Sequence, residues 1–290
     1  MPFTFSYRKR FYEANHIAFL ANAKIIQSFR HLKVKGIIGP SFAYPLSSQA
    51  EDILVCDTAD EFTNFWWLDT YVTGQYPKLV LRWLEKNKLA PSILPGDLDL
   101  LKMGRPDFIG INYYQSLTYE RNRAQGGISE GHFNTTGIRG SAADTGIPGL
   151  YKTVQNTALE RTSWDWNIDP LGLRVGLKRL YSRYSLPLMV TENGLGDFDQ
   201  IINENEIQDD NRIAYLKSHV LAVQDAIQDG VQVLGYFVWS FTDVLSWLNG
   251  YQKRYGLVYV NRNETDIKDL RRIRKKSFFW YRDWIEANSK

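Results

Sequence analysis

Strand-like and helix-like segments alternate along this 290-residue chain, and the alternation contains four strands. That count constrains the fold more than any other feature. Segments 34–39, 106–114, 186–192 and 233–240 read as strands, the first closed by Pro40 and Pro45. Between and around them, helical spacing predicts helices over 11–31, 57–74, 76–88, 170–184, 204–229 and from 266 onward. Phe11, Ala14, Ile17, Ala18, Leu20, Ile25 and Phe29 carry the first. Asp169 and Pro170 open the fourth, and Gly230 stops the fifth. Strands alternating with helices demand a parallel sheet with right-handed crossovers. Four strands are too few for a closed (β/α)₈ barrel, which needs eight.

With 44 % hydrophobic residues the chain has ample material for a large core. A net charge of +3, with both signs interspersed, points to neither nucleic acid nor membrane. The one basic run, 268–276, is expected to be the solvated side of the final helix. The single cysteine, Cys56, excludes an intrachain disulfide and fits a reducing compartment, so the cytoplasm is the default location. No apolar run approaches the ~20 residues of a membrane span, and the charged N-terminus is not followed by the apolar stretch of a secretory signal. His16, His31, His132 and His219 show no metal-ligand spacing, and no cofactor or metal is expected. A Gly/Ser/Asn/Thr-rich stretch, 121–163, reads as an extended loop.

Polar and aromatic residues gather at the C-terminal ends of the strands, the rim where barrel active sites lie. Phe108 to Tyr114 ends in Asn112-Tyr113-Tyr114, Val190-Thr191 runs into Glu192-Asn193-Gly194, and Trp239 to Asp243 is followed by Gly250 to Gly256. In this order, over essentially the whole chain, the motifs resemble glycoside hydrolase family 1. The resemblance implies the C-terminal half, strands five to eight, of a (β/α)₈ TIM barrel, with residues 1–290 forming one incomplete catalytic domain. It also implies a retaining mechanism, with two carboxyl groups about 5–5.5 Å apart. Glu192 matches the nucleophile and Tyr114 the residue that hydrogen-bonds it. A nearby hydroxyl or cation is expected to keep Glu192 ionised. Asn112 and Trp239 match residues lining the sugar site.

The last rim loop resembles the 6-phospho-β-glycosidases of that family. Ordinary β-glucosidases carry a glutamate seven residues after the strand-eight tryptophan; here that position is Ser246. A carboxylate there would repel a phosphate on O6, whereas a hydroxyl can donate to it. Lys253 and Tyr255 follow at +7 and +9, adding a cation and a phenol suited to phosphate. Trp247 resembles the tryptophan typical of 6-phospho-β-galactosidases, but one residue does not separate the gluco from the galacto epimer. The implied substrates are phosphorylated β-disaccharides or aryl β-glycoside 6-phosphates.

The family's acid/base glutamate sits in an Asn-Glu-Pro motif at the end of strand four, and no Asn-Glu-Pro occurs here. Asn203-Glu204, Asn205-Glu206 and Asn263-Glu264 fall in other contexts. Asp165, Asp243 and Glu120 can be nominated as substitutes, with none expected to serve. The chain therefore reads as a fragment that begins just after the acid/base residue. The missing N-terminal half becomes a possible partner, and a silent sugar-phosphate-binding half-barrel becomes the alternative function.

Overall fold

The protein is described by a computed structural model covering residues 5–49, 52–124, 130–133 and 143–288. Its elements begin with α1 (Phe5–His31), β1 (Ser41–Ala43), β2 (Leu46–Gln49), α2 (Ile53–Asp60), a π-helical turn (Glu61–Phe65), α3 (Trp66–Thr73), α4 (Lys78–Lys86) and α5 (Asp97–Met103). Next come β3 (Ile109–Asn112), β4 (Ser116–Glu120), β5 (Glu130–Phe133), β6 (Ala143–Ile147), β7 (Tyr151–Val154), α6 (Pro170–Tyr184) and β8 (Leu188–Asn193). After these follow β9 (Gln200–Asn203), β10 (Glu206–Gln208), α7 (Asp210–Gln228), β11 (Val233–Val238), β12 (Val258–Val260), β13 (Arg272–Arg274) and α8 (Lys276–Asn288). None of the described helices is long and apolar enough to cross a membrane.

The central sheet has the order β1-β3-β8-β11, with every pair parallel. Each crossover carries helices, as parallel pairing requires. Ile109 and Ile111 of β3 and Leu188 and Val190 of β8 are fully buried against Leu173, Leu177 and Leu180 of α6. Each such leucine contributes roughly 1.5–3 kcal/mol by leaving water. Helix α6 starts where expected: the Asp169 carboxylate accepts from Gly172 N–H at 2.7 Å and Pro170 occupies the first turn. It ends at Ser185, whose φ of 50° breaks the helix before Pro187.

Four expectations fail for local reasons. Segment 34–39 is irregular and the strand starts later, at Ser41. Ile38 is instead tied to Asp107, donating N–H to its carboxylate and accepting from its backbone. The stretch 121–163 is not one loop: β5, β6 and β7 join β2 and β4 in a second sheet, ordered β2-β4-β7-β6-β5. Residues 125–129 and 134–142 of that stretch, and the side chain of His132, lie outside the described residues. The fifth helix begins at Asp210, because 200–208 forms the β9–β10 hairpin, turned by Asn203 accepting from Asn205 N–H.

The basic run is not a helix face. Lys268 and Leu270 have positive φ, Arg272–Arg274 pairs antiparallel with Val258–Val260, and Lys275 is fully buried. Its ammonium bonds Asp199 at 2.6 Å and Asp243 at 2.8 Å. Helix α8 starts only at Lys276.

Candidate active site

The rim of the central sheet is set by a register irregularity. Ile111 pairs with Val190, but the next residue, Asn112, pairs with Glu192, so Thr191 is the extra residue of a bulge. Bulges re-aim side chains beside active sites. By simple alternation Glu192 would follow Leu188 and Val190 toward the helices; the bulge frees it from that side. Thr191 is held in turn, its hydroxyl 2.7 Å from Asn112 Oδ1 and 2.6 Å from Ser41 Oγ, which itself donates to Asn112.

Tyr114 donates its phenol proton to Glu192 Oε2 at 2.7 Å. Burial first, and then the hydrogen bond and charge of Glu192, hold that phenol well above the ordinary tyrosine range. It therefore stays a donor at any working pH. The neighbouring backbone is locked by fully buried Asn193, which donates to Tyr113 O at 2.6 Å and accepts from Tyr236 at 2.6 Å. Tyr215 fixes the next carbonyl, donating to Tyr114 O at 3.0 Å. Asn193, Tyr215 and Tyr236 carried no signal in the sequence beyond the motif position of Asn193.

Lys253 and Tyr255 meet this pair from the other side. The Tyr114 ring packs edge-on against Tyr255 at 6.1 Å and Trp166 at 5.8 Å. Lys253 Nζ sits 3.5 Å from the Trp166 ring centroid, 5.4 Å from Trp164 and 5.5 Å from Tyr255. Lys253 is 1 % exposed, and its ammonium has no hydrogen-bond acceptor among the described residues. The indole N–H groups of Trp164 and Trp166 are buried without acceptors too. Burial drives the lysine down to about 7. The aromatic faces attract the cation, but they do not replace an acceptor. An oxyanion would complete such a set of donors.

The loop bearing Lys253 and Tyr255 is anchored through Arg254, which sequence reasoning missed. Its guanidinium bonds Asp243 at 2.8 Å and the carbonyls of Val260 and Arg262 at 3.0 and 2.6 Å, while its backbone pairs with Asp197. Asp243 also accepts from Lys275 and Gly256 N–H, so it is a structural anion. Glu120 is paired with Lys152 at 2.8 Å, and exposed Asp165 lies 3.7 Å from Arg161. All three nominated substitutes for the acid are thus engaged away from Glu192.

Other expected site residues are placed less closely. Trp239 is half-buried at the end of β11, its N–H on Asn193 O. Ser246 is held by reciprocal backbone bonds with Gly250, and its hydroxyl makes no bond to Lys253 or Tyr255 among the described residues. Trp247 stands 95 % exposed. The structure therefore gathers Glu192, Tyr114, Tyr255 and Lys253, while half-buried Ser246 and exposed Trp247 show no hydrogen bond or ring contact to them among the described residues.

The family model for glycosyl hydrolase family 1 matches residues 1–290. The chain is 60 % identical over 285 residues to the aryl-phospho-β-D-glucosidase BglC of Bacillus subtilis (strain 168), covering 97 % of this chain and 59 % of the relative. It is 36 % identical to a 6-phospho-β-galactosidase of Clostridium acetobutylicum, covering 93 % of this chain and 57 % of that one. Among solved structures, a family 1 β-glucosidase from Thermotoga maritima superposes with a TM-score of 0.79 at 29 % identity, over 96 % of this chain and 56 % of its own. The chain thus spans little more than half the length of these proteins. Its four parallel strands are strands five to eight of a (β/α)₈ barrel.

Proposed function

The chain belongs to glycosyl hydrolase family 1, and from that premise we propose that it carries the nucleophile and phosphate-binding side of a retaining 6-phospho-β-glycosidase. Residues 1–290 act as one incomplete barrel domain in this reading. Glu192 attacks the anomeric carbon as the bond to the aglycone oxygen breaks, and a carboxylic acid supplied from outside this chain protonates that oxygen. Water, deprotonated by the same carboxyl group, then attacks the anomeric carbon, frees Glu192 and releases the 6-phosphosugar. Tyr114 orients the Glu192 carboxylate. Asn112 and Trp239 line the sugar, Lys253 and Tyr255 hold its phosphate, and Ser246 and Trp247 belong to the substrate site by their place on the same rim loop.

The observation that carries the proposal is the single cluster formed by Tyr114–Glu192 and the buried, acceptor-free Lys253, joined through Tyr255 and Trp166. A neutral glucoside would leave that ammonium without a partner; a phosphate on O6 satisfies it. The 60 % identical relative, named an aryl-phospho-β-D-glucosidase, favours the gluco epimer and an aryl aglycone. Sugar phosphates are intracellular metabolites, so the cytoplasm is the proposed location.

The test uses the 290-residue protein with glucose 6-phosphate, galactose 6-phosphate and alkyl 6-phospho-β-glycosides. Binding of a 6-phosphosugar, weakened by Lys253→Ala, with little or no turnover of the alkyl glycoside, is expected. General-acid assistance is typically worth 10²–10⁴-fold, so brisk turnover by this chain alone would overturn the external acid. Equal affinity for glucose and glucose 6-phosphate would overturn the substrate class.

A further inference from the structure

The rings around the Lys253 ammonium come from two loops far apart in sequence. Trp164 and Trp166 belong to a tight turn at 160–168, whereas Lys253 and Tyr255 follow Gly250. The turn is shaped from within. Thr162 N–H donates to the Trp166 carbonyl at 2.8 Å, and the Thr162 hydroxyl accepts from Trp164 N–H and Trp166 N–H at 3.2 Å each. Asp165, between the two tryptophans, has a φ of 59°. These bonds fix the form of the turn but not where it stands against Lys253. The attraction between the ammonium and the Trp166 ring, at 3.5 Å, makes little directional demand.

Position is supplied by the segment that leaves β8 just past Glu192. Three successive residues there each touch a different part of the arrangement. Gly196 lies so close that a Cβ would come within 2.6 Å of Lys253 Cε and Tyr255 Cζ. Asp197 exchanges backbone hydrogen bonds with Arg254, donating at 3.0 Å and accepting at 3.1 Å, and Arg254 stands between Lys253 and Tyr255. The Phe198 ring lies 4.7 Å from the Trp164 ring. The buried Asp197 carboxylate reaches the tryptophan turn directly: its Oδ1 accepts from Ser163 Oγ at 2.5 Å and from Phe198 N–H at 2.9 Å, and its Oδ2 from Asn211 Nδ2 at 3.4 Å. An O–H···O⁻ bond of this kind is short, strong and directional.

We infer that Asp197, through Ser163 on one side and Arg254 on the other, is a positioning residue that sets the tryptophan turn against the Lys253 loop and thereby makes the site select a phosphate over a neutral sugar. The inference deepens the function proposed above and rests on it. The carboxylate oxygens are taken up by their donors, so Asp197 acts through other groups. With the rings in place, the ammonium is shut away from water without an acceptor, and a phosphate is the occupant that relieves it. With the turn released, water hydrates the ammonium, and a phosphate gains less by displacing it. Glu192 is held by a separate set, Tyr114, Asn193 and Tyr215, so capture of a sugar there does not depend on the Ser163–Asp197 bond.

The experiment substitutes Ser163, which is half-buried, and leaves the Asp197 backbone bridge intact. In Ser163→Ala the affinity for glucose 6-phosphate is expected to fall about 10-fold. The Tm, and the rate at which a 2-fluoro-β-glucosyl fluoride without phosphate labels Glu192, are expected to stay at wild-type values. Ser163→Thr keeps a hydroxyl and is expected to restore the affinity. The double variant Ser163→Ala/Lys253→Ala is expected to bind no more weakly than Lys253→Ala, because Ser163 acts through the ammonium. Unchanged affinity in Ser163→Ala overturns the inference, as does a full further loss on top of Lys253→Ala. A parallel fall of Tm, labelling and affinity overturns it too, since the bond then serves the fold at large. A wild-type chain that binds glucose and glucose 6-phosphate equally overturns the phosphate site itself, and the inference with it, before any substitution is made.

Discussion

Tyr114 donates a hydrogen bond from its phenol to Glu192 Oε2 at 2.7 Å, across the junction between β3 and β8. The two residues are 78 apart in sequence and adjacent at the rim. The bulge at Thr191 makes the meeting possible, because it moves Glu192 off the helix-facing side of β8.

Replacing Tyr114 by Phe removes that donor while keeping the ring contacts with Trp166 and Tyr255. A hydrogen bond to a charged group is worth about 1.5–3 kcal/mol, so covalent capture of Glu192 should slow by roughly 10- to 100-fold. A 2-fluoro-β-glucosyl fluoride carrying a 6-phosphate reports this directly, because fluoride leaves without an acid. Mass spectrometry of the labelled peptide should place the sugar on Glu192. Labelling at another carboxylate, or an unchanged rate in Tyr114→Phe, would count against the assignment.

Lys253 ties the site to pH. Burial lowers it from 10.5 to about 7, so the folded chain releases this proton before the unfolded chain does. The unfolded state holds more protons between those values, and stability therefore rises as pH climbs from about 7 toward 10.5. An anion bound at the ammonium reverses the preference. Binding of glucose 6-phosphate at pH 8 should take up a proton, seen as a buffer-dependent enthalpy in calorimetry, and affinity should fall above pH 7. Lys253→Met should abolish the proton uptake and raise stability near neutrality. Uptake that persists in Lys253→Met would place the proton elsewhere.

Asp243 is the junction of a buried ion network, bonded to both Arg254 and Lys275, with Lys275 passing on to Asp199 and Arg212. Removing one partner of a buried pair leaves an uncompensated charge and costs about 3–5 kcal/mol. Asp243→Ala should therefore lower the unfolding midpoint in urea sharply and loosen the loop that holds Lys253 and Tyr255. The same change at exposed Asp165 should move the midpoint little. A small effect at Asp243 would mean that the network is not holding the loop.

Local pattern and rim motifs were the legible part of this chain. Helix α6 is readable because Asp169, Pro170 and the leucines at 173, 177 and 180 each act within a turn or two. The cores of β3 and β8 are readable because their runs are apolar and short. What was lost depends on distant partners. The second sheet is built from short, largely polar strands whose pairing, such as Thr118 with Val154, has no local periodicity to announce it. Lys275 looks like one more solvated base until Asp199 and Asp243 arrive from 76 and 32 residues away. At the site, Glu192 and Tyr114 were visible by motif, whereas Arg254, Asn193 and Tyr236 act through backbone carbonyls and side chains that only the folded rim brings near.

Two glycines beside Glu192 separate what the fold needs from what the ligand needs. A Cβ on Gly194 would lie 1.9 Å from the Trp239 carbonyl oxygen, a backbone atom of the residue whose backbone N–H bonds Asn193 O. A Cβ on Gly196 would lie 2.6 Å from Lys253 Cε and from Tyr255 Cζ, both side-chain atoms. Backbone cannot yield as side chains can, so Gly194→Ala should force β8 and β11 apart. That is overpacking of the kind that costs about 1–3 kcal/mol or more, and it should lower the Tm and slow labelling of Glu192. Gly196→Ala should keep more of the fold while displacing Lys253 and Tyr255, so that affinity for glucose 6-phosphate falls and labelling by a fluoride lacking the 6-phosphate is spared. If both variants lose stability and affinity in the same proportion, Gly196 is serving the fold, and Lys253 and Tyr255 owe their positions to Arg254 alone.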